Sequence, residues 1–360
     1  KAYIGPEIVT LQINNTCNLS CRYCWTHAPG NPRHFDDPKR LSLEKFVEII
    51  DDAVDLKVDQ IYLSGSGEPT MHPSFRNMMR YLEDKPIGVR LYTNATFPLK
   101  LCQDVIKGDR VDIDLGAITR EQYRDLQGKD LFDRVVANIK HLVLLRDTIK
   151  PSFHIEVVYI VNADNVDQAE RMREFTAQLG VNFILFKKMN VHAFNRNIAV
   201  PEDFTVNIAG EDKVTPPECL NGWFFFTIKP DNIASTCCRI ERMPLGDMNK
   251  LSFKQFWLSK QMMNARLLGK YGQIQKQFKA CQTCPDFKEN IERMFHAAKI
   301  EVNKNETVDS YDHLSHESLL IAFRHCRVEK ERPSDAHLDR GLRRRTKSQI
   351  DIRKKKGFFR

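Results

Sequence analysis

The sequence contains no long apolar run, no internal repeat and no low-complexity segment. None of its apolar stretches approaches the roughly 18 residues that a bilayer-spanning helix needs. No secretory signal is recognisable either, so we expect neither a membrane protein nor an exported one. The 360 residues are instead 42% hydrophobic. A chain of this length buries about three quarters of its unfolded surface, so its stability does not require disulfide bonds.

Three of the ten cysteines crowd into the stretch CNLSCRYCW, residues 17–25. Thiols this close together are poorly placed to pair with one another. Clustered cysteines in a protein that is not exported are typical of metal ligands in a reducing compartment. The sequence therefore predicts a cytoplasmic metalloprotein.

The positive charge is concentrated at the end of the sequence. The formal net charge is +8, and residues 340–360 carry ten Lys or Arg against Asp351 alone, a local charge of +9. The preceding 339 residues therefore sum to about −1. A basic tail of this kind can bind nucleic-acid phosphates, with Phe358 and Phe359 available to stack on bases. Blocks of like charge are usually solvated and unfolded, so we do not favour nucleic acid as the partner.

Apolar periodicity divides the first 200 residues into alternating strands and helices. Six strand-like runs alternate with helical patterns of three- and four-residue spacing. Strands joined by crossover helices form a parallel sheet, and strands buried on both faces are almost continuously apolar. The sequence thus predicts an α/β fold, a partial (β/α)6 TIM-like barrel over residues 1–209. The predicted strands are EIVTLQIN (7–14), DQIYLSG (59–65), GVRLYTN (88–94), RVDIDLG (110–116), FHIEVVYIV (153–161) and NFILFKK (182–188).

The pattern changes after the predicted barrel. Residues 201–217 are loop-like and contain prolines, and the later stretch WFFFTIKPDNIAST is typical of a hairpin. Short helical patterns follow around SFKQFWLSKQMMNARLLG, so we expect a small α+β domain at 210–300. Residues 301–360 form an extension with one predicted helix, HESLLIAFRHC, and the basic tail.

The cysteine triplet directly follows the first predicted strand. Loops at the carboxyl ends of parallel strands form the reactive mouth of a β/α barrel. Three thiolates can hold three irons of a 4Fe-4S cube and leave the fourth iron open to a ligand. A site with four cysteine ligands would instead be coordinatively closed.

The spacing Cys17-x3-Cys21-x2-Cys24, with Tyr23 before the third cysteine, resembles the signature of the radical S-adenosylmethionine (radical SAM) superfamily. The resemblance implies a 4Fe-4S cluster whose open iron is chelated by the amino and carboxylate groups of S-adenosylmethionine. It also implies that one electron from the cluster, which a flavodoxin- or ferredoxin-type donor supplies, cleaves the sulfonium to give a 5′-deoxyadenosyl radical. A zinc-binding or structural role of the three cysteines is the alternative.

Three further strand ends resemble elements of this family. The second strand ends in SGSGEPT, residues 64–70, which is similar to the family's GGEP element with Ser66 in place of the first glycine. Taken alone, this stretch would be no more than a flexible turn. Asn94 matches the family's TN element. Asp114 stands where the family often places a ribose-contacting residue, although a polar residue that closes a strand is the alternative. The resemblance implies that S-adenosylmethionine is bound by Tyr23, Gly65, Ser66, Gly67, Glu68, Asn94 and Asp114.

Four later cysteines predict a second metal site. A Cys-x2-Cys turn presents two thiolates to one metal, and two thiolates from a neighbouring hairpin complete the set. The spacing resembles the SPASM/twitch extension of radical SAM enzymes, with Asn232 in place of a glycine five residues before the hairpin cysteine. Asn290 stands where a further cysteine would be expected, so we predict one auxiliary 4Fe-4S cluster, with structural zinc as the alternative. The predicted ligands are Cys219, Cys237, Cys281 and Cys284.

The resemblance covers roughly residues 7–295 and implies removal of hydrogen from an unreactive carbon. Related twitch enzymes suggest oxidation or epimerisation at a carbinol carbon of a sugar or aminocyclitol, free, phosphorylated or nucleotide-linked. The auxiliary cluster would then relay an electron. A peptide maturase acting on a ribosomally made precursor is the second candidate, and a nucleic-acid-binding iron–sulfur protein is the third. Lys187 and Lys188 are candidate proton acceptors or phosphate anchors, and as neighbours on a strand at most one of them lines the barrel.

Overall fold

The computed structural model of the chain describes residues 5–31, 37–189, 219, 221–237, 244–271 and 273–274. All of these residues belong to one compact unit. No helix within these ranges combines the length and the apolar character needed to cross a membrane. The predicted helix HESLLIAFRHC, the basic tail, Cys281 and Cys284 lie outside the described residues.

The central element is one mostly parallel sheet. The strands are β1 (Ile8–Leu11), β2 (Gln60–Leu63), β3 (Gly88–Thr93), β4 (Arg110–Asp114), β5 (His154–Val161), β6 (Phe183–Lys188), β7 (Phe225–Ile228), β8 (Ile233–Ser235) and β9 (Gly246–Asp247). Their order is β6-β5-β4-β3-β2-β1-β7-β8-β9, and every neighbouring pair from β6 through β7 is parallel. Over the described residues the order has two free ends, so the predicted partial barrel is confirmed as an open α/β sheet.

Helices connect the parallel strands. They are α1 (Leu43–Asp55), α2 (Phe75–Glu83), α3 (Cys102–Val105), α4 (Arg120–Gln127), α5 (Phe132–Thr148) and α6 (Ala169–Gln178), followed later by α7 (Asn221–Phe224), α8 (Phe253–Trp257) and α9 (Lys260–Lys270). Side-chain caps mark four of the starts in the described residues, at Ser42, Thr119, Ser252 and Ser259. At the first two, Ser42 Oγ accepts the amide of Lys45 and Thr119 Oγ1 accepts that of Gln122. Such caps satisfy amides that have no partner inside the helix.

The strands of the sheet have an apolar outer face and an inner face that carries most of their polar residues beside apolar ones such as Val158. Val9 and Ile61 are buried in the core on the outer face, and burial of each such side chain contributes about 1.5–3 kcal/mol. Tyr62 follows Ile61 on β2 and therefore points to the opposite, inner face. Tyr62 and Arg90 both contact Asp112, so these three residues share the inner face. The expectation of almost continuously apolar strands is therefore wrong for β2, β3 and β4, which carry polar residues on the inner face, whereas β5 fits it.

The later segment extends the same sheet. β7 pairs in parallel with β1, from Ile8 opposite Phe225 to Leu11 opposite Ile228. β8 runs antiparallel to β7 and confirms the predicted hairpin, and β9 pairs with β8. The predicted boundaries at residues 209 and 300 stay predictions.

Candidate functional site

The three cysteines of the triplet lie on the loop between β1 and α1, at the carboxyl end of the parallel strands. Backbone amides point at two of the sulfurs. Leu19 N lies 3.4 Å from Cys17 Sγ, and His27 N lies 3.2 Å from Cys24 Sγ. N–H groups directed at sulfur stabilise the thiolate, which is the form that binds metal.

Burial keeps these thiols protonated in the chain alone. Loss of hydration, with a smaller contribution from the charge of Glu68, raises the pKa of Cys17 to about 12. Burial likewise raises the pKa of Cys21 and of Cys24. A bound cluster must therefore displace protons from these sulfurs. Among the described residues, no three Cys, His, Asp or Glu side chains are already arranged to hold one metal ion.

The glycine-rich turn after β2 packs against the backbone that leads into the triplet. A Cβ on Gly67 would lie 2.4 Å from Thr16 O and 2.4 Å from Asn14 Oδ1, so only glycine fits. Gly67 thus allows close approach of the cysteine loop, a contact that the sequence does not reveal. Thr16 Oγ1 and Asn14 Oδ1 are buried and have no hydrogen-bond partner in the described part of the chain. Such uncommitted polar atoms beside three thiols fit a cluster that carries a polar ligand.

Gly65 and Ser66 hold the other side of this turn. Gly65 has a φ of 146°, and a Cβ there would lie 2.5 Å from Gln12 Cγ. Ser66 Oγ donates to Gln12 Oε1 at 3.2 Å, and Ser66 O lies 2.7 Å from His27 Nε2. The turn is therefore connected both to the residue after β1 and to the cysteine loop.

The carboxylate of Glu68 is occupied by the protein itself. Oε1 accepts hydrogen bonds from Thr93 Oγ1 and Thr70 Oγ1, both at 2.6 Å, and Oε2 accepts the amide of Asn94 at 2.8 Å. Burial raises the pKa of Glu68, and these hydrogen bonds oppose that rise. The family resemblance implies a direct contact with S-adenosylmethionine. Within the chain, this carboxylate also joins the turn after β2 to the end of β3.

Asn94 links the end of β3 to the triplet. Its Nδ2 lies 3.8 Å from Cys17 Sγ and donates to Asn18 Oδ1 at 3.1 Å. Its Oδ1 accepts hydrogen bonds from the amide and the hydroxyl of Thr96, at 3.0 and 2.7 Å. The orientation of the amide is thus fixed, with its donor side towards Cys17.

Tyr23, Asp114 and Gln127 form a hydrogen-bonded group beside the triplet. Tyr23 Oη donates to Asp114 Oδ1 at 3.2 Å and accepts from Gln127 Nε2 at 3.0 Å. Burial raises the pKa of Asp114 to about 7, an effect that the Tyr23 hydrogen bond and the charge of Lys187 oppose. Gln127 is missed by the sequence analysis, because only the fold brings it to Tyr23.

A network of two arginines and two carboxylates occupies the inner face of the sheet. Asp112 accepts hydrogen bonds from Arg90 Nε at 2.6 Å, Arg110 Nε at 2.8 Å and Tyr62 Oη at 3.1 Å. Arg110 Nη2 also lies 2.7 Å from Glu156 Oε2. The Asp112 side chain is 1% exposed, so these partners offset the cost of burying its charge. Polar residues at alternate strand positions are the sequence signal that could predict this network.

The auxiliary site is described in part, through Cys219 and Cys237. Cys219 N donates to Gly269 O at 2.9 Å. A Cβ on Gly269 would lie 2.1 Å from Cys219 O, so this helical glycine permits direct contact with the Cys219 backbone. Asn232 has a φ of 63°, which confirms the positive φ expected at this glycine-like position before Cys237.

Arg266 anchors α9 next to Cys219. Its Nε donates to Gly222 O at 3.0 Å, and its Nη2 donates to Trp257 O at 3.1 Å. The guanidinium also lies 3.9 Å from the centroid of the Trp257 ring. The side chain is buried, so these contacts fix the helix against the Cys219 segment.

Two protein-family models match the chain. Residues 11–181 match the radical SAM superfamily, and residues 219–285 match SPASM, an iron–sulfur cluster-binding domain. The first match includes the triplet and most of the parallel sheet, and the second includes the four later cysteines. Both matches agree with the resemblances found in the sequence.

Curated relatives share part of the chain. It is 28% identical over 190 residues to the tungsten-containing aldehyde ferredoxin oxidoreductase cofactor-modifying protein of Pyrococcus furiosus, which covers 50% of each protein. It is 30% identical over 166 residues to a probable GTP 3′,8-cyclase of Pyrococcus horikoshii, which covers 45% of this chain and 51% of the relative. The chain therefore spans about half the length of the curated relatives it matches.

Solved structures share the fold. The enzyme anSMEcpe with bound AdoMet gives a TM-score of 0.55 at 13% identity, over 89% of this chain and 99% of that chain. SuiB of Streptococcus suis bound to S-adenosylmethionine gives a TM-score of 0.54 at 13% identity, over 73% of this chain and 65% of that chain. These likenesses confirm the architecture of the parallel sheet and its helices.

Proposed function

The chain belongs to the radical SAM superfamily and carries a SPASM iron–sulfur domain, and from this premise we propose that it oxidises or epimerises a carbinol carbon of its substrate. Its cofactors are 4Fe-4S clusters and S-adenosylmethionine. When bound, they supply a 5′-deoxyadenosyl radical that removes hydrogen from carbon. The favoured substrate is a sugar or aminocyclitol, free, phosphorylated or nucleotide-linked.

Residues from several strand ends would hold these cofactors. Cys17, Cys21 and Cys24 are the proposed ligands of the first cluster. The proposed auxiliary ligands are Cys219, Cys237, Cys281 and Cys284. The residues proposed to surround S-adenosylmethionine are Tyr23, Gly65, Ser66, Gly67, Glu68, Asn94 and Asp114.

One observation supports a hydroxylated substrate. The inner face of the sheet is lined by hydrogen-bonding and charged groups, among them Tyr92, Asp114, Glu156 and Lys187, which share this face by strand alternation and pairing. Glu156 Oε1 is buried and makes no hydrogen bond among the described residues, although it lies 3.8 Å from Arg90 Nη2. Convergent polar groups of this kind suit the hydroxyls of a sugar or cyclitol better than an apolar substrate.

Lys187 is the proposed contact for an anionic or hydroxyl group of the substrate. Phe186 packs against Tyr159 with ring centroids 5.8 Å apart, so it lies on the outer face of the sheet. Alternation then places Lys187, which is exposed, on the inner face. There it is the proposed phosphate anchor or proton acceptor.

Peptide modification is the second candidate. SuiB bound to its precursor peptide SuiA gives a TM-score of 0.54, and anSMEcpe with a Cp18Cys peptide gives 0.52. The shared fold supports a peptide as the alternative substrate. The partial likeness to probable GTP 3′,8-cyclases supports a nucleotide-linked form of the sugar. A cytoplasmic flavodoxin or ferredoxin is the proposed electron donor.

Deuterium transfer tests the proposal. Anaerobically reconstituted protein is incubated with S-adenosylmethionine and dithionite and with two substrate panels. One panel holds sugars and aminocyclitols, free, phosphorylated and nucleotide-linked, with deuterium on carbinol carbons, and the other holds peptides deuterated at Cα. We expect label in 5′-deoxyadenosine from the first panel only. Label from the peptide panel alone contradicts the carbinol proposal, and the Cys21→Ala variant is the control that yields no cleaved nucleoside.

A further inference from the structure

The last turn of α4 is bonded to the cysteine loop through backbone groups. Ser20 N donates to Gln127 O at 3.3 Å, and Arg22 N donates to Leu126 O at 2.9 Å. Cys21 lies between these two anchored residues, so the helix holds the loop on both sides of this cysteine.

The buried face of α4 also carries two polar side chains, Tyr123 and Gln127. Both are 0% exposed and lie one turn apart, on the same face of the helix. Gln127 Nε2 donates to Tyr23 Oη at 3.0 Å, whereas Tyr123 Oη has no hydrogen-bond partner within the described ranges. A buried hydroxyl without a partner destabilises the folded chain, because it has lost its hydrogen bonds to water. A buried polar group without a hydrogen-bond partner often marks the place of a bound water, ion or cofactor.

We propose that Tyr123 and Gln127 are positioning residues of the first cluster. In the loaded protein the Tyr123 hydroxyl donates a hydrogen bond to the sulfur of Cys21, and Gln127 fixes the hydroxyl of Tyr23 next to Asp114. Both residues act through the cysteine loop rather than on the substrate. The inference rests on the part of the proposed function that assigns the first cluster to the triplet.

The electrostatic surroundings of Tyr123 agree with this placement. Burial raises the pKa of Tyr123, and the charges of Cys21 and Asp114 raise it further, which shows that both groups lie within electrostatic reach. The phenol therefore stays protonated and is a hydrogen-bond donor towards a thiolate. Hydrogen bonds to cluster sulfurs raise the reduction potential.

Tyr123→Phe tests the hydroxyl alone, because it keeps the ring and its edge contact with Phe132 at 5.9 Å. In the chain without clusters the variant loses only an unsatisfied group, so its melting temperature should equal or exceed that of the wild type. After reconstitution, redox titration followed by EPR should show a more negative midpoint potential for the cluster signal that responds to S-adenosylmethionine.

Tyr159→Phe is the matched control. In the wild type, Tyr159 is also buried, but its hydroxyl donates to Asn165 O at 2.9 Å. Removal of this bond should lower the melting temperature and leave the potential of the first cluster unchanged. If Tyr123 acts in packing alone, Tyr123→Phe should leave the potential of the first cluster at the wild-type value, without the fall in melting temperature expected for this control.

Gln127→Met tests the second residue. It keeps the length of the side chain and removes the donor to Tyr23. We expect the apparent Kd for S-adenosylmethionine, measured from the EPR change, to rise about tenfold, which corresponds to one lost hydrogen bond. Iron content per chain should stay at the wild-type value.

Two outcomes overturn the inference: a wild-type potential in Tyr123→Phe, or a wild-type Kd in Gln127→Met. Failure of the cluster assignment looks different. If Cys21→Ala keeps the signal that responds to S-adenosylmethionine, the triplet does not hold the first cluster. If Cys21→Ala loses that signal while Tyr123→Phe and Gln127→Met behave as wild type, the assignment stands and only the positioning roles fail.

Discussion

At the scale of single residues, the site depends on buried groups whose hydrogen bonds are made within the chain. Glu68 is the best example, because both of its carboxylate oxygens accept bonds from residues at the ends of β2 and β3. An acidic residue in a cofactor motif suggests direct contact with the cofactor. Here the carboxylate also fixes Asn94, whose side-chain amide lies beside Cys17.

Glu68→Gln separates these two roles. In this variant the side-chain NH2 group, a hydrogen-bond donor, would face another donor at the place where a carboxylate oxygen now accepts a hydrogen bond. We expect the free energy of unfolding of the chain without clusters to fall by about 1–3 kcal/mol, measured by urea denaturation. Glu48→Gln is the control, since its side chain is 43% exposed and pairs with Lys45 at the surface. Unchanged stability together with weaker S-adenosylmethionine binding would show that the carboxylate contacts the cofactor directly.

Residues with a local sequence signal could be predicted, and residues placed by long-range contacts could not. The triplet and the positive φ of Asn232 depend on neighbours in the chain. Gln127 lies 104 residues from Tyr23 in sequence, and the peptide NH groups of the loop reach α4 across a similar separation. Periodicity identifies the face that a helix buries, but it does not identify which distant loop covers that face.

At the scale of elements, two glycines allow chain segments to touch at or next to a cysteine that is a proposed cluster ligand. Gly67 lets the turn after β2 approach the residue before Cys17, and Gly269 lets α9 approach Cys219. In both places a methyl group would collide with backbone atoms. We therefore expect each glycine to be needed for binding of one of the two proposed clusters.

Gly67→Ala should disturb the first cluster alone. The added Cβ would meet Thr16 O at 2.4 Å, which displaces the backbone at Cys17. We expect loss of about four of the eight irons per chain, together with loss of the EPR signal that responds to S-adenosylmethionine. Gly108→Ala is the control, because its Cβ would have no atom nearer than 3.3 Å. Full iron content in Gly67→Ala would contradict the dependence of the triplet on this turn.

Gly269→Ala should remove the auxiliary cluster and spare the first. Alanine favours a helix over glycine by roughly 0.5–1 kcal/mol, so helix propensity alone would stabilise the variant. The collision with Cys219 O cannot relax easily, since Arg266 fixes α9 against the same segment. Iron analysis and EPR should show that the signal responsive to S-adenosylmethionine is kept while the other is lost. Retention of both signals would show that Cys219 tolerates displacement.

The elements themselves were predicted unevenly. Six strands of the parallel sheet and the later hairpin follow from apolar periodicity. The first strand was predicted to reach Asn14 but ends at Leu11, because Asn14 instead forms an isolated bridge with Arg40. The short helix α4 is not predicted from the sequence, since few of its eight residues are apolar. The contacts that position this helix are made with residues outside it.

At the scale of the whole molecule, the two proposed clusters share one sheet. A Cys17/Cys21/Cys24 triple-Ala variant should therefore keep its fold and about four irons per chain. Anaerobic iron, sulfide and zinc analysis of this variant, beside the wild type, measures that remainder. Zinc in place of iron and sulfide would favour the structural-zinc alternative for the later cysteines.

Deletion of residues 340–360 tests the basic tail, which lies outside the described residues. We expect cluster content and cleavage of S-adenosylmethionine to match the full chain. Binding to RNA, DNA and nucleotide-sugars is measured at two salt concentrations. Loss of salt-sensitive RNA binding upon deletion would support a tethering role for the tail. Weak, salt-insensitive binding by the full chain would discard that role.

The parallel pairing of β7 with β1 sets a condition on synthesis of the protein. β7 begins at Phe225, 217 residues after Ile8, the residue that begins β1 and pairs with Phe225. A ribosome adds about 5–20 residues per second, so the amide and carbonyl groups along one side of β1 wait at least roughly ten seconds for their partner strand. During that interval the nascent chain presents an open strand edge, the feature that promotes association between chains. Helper proteins that shield emerging polypeptides should therefore raise the soluble yield of this protein, and slower translation should lower it.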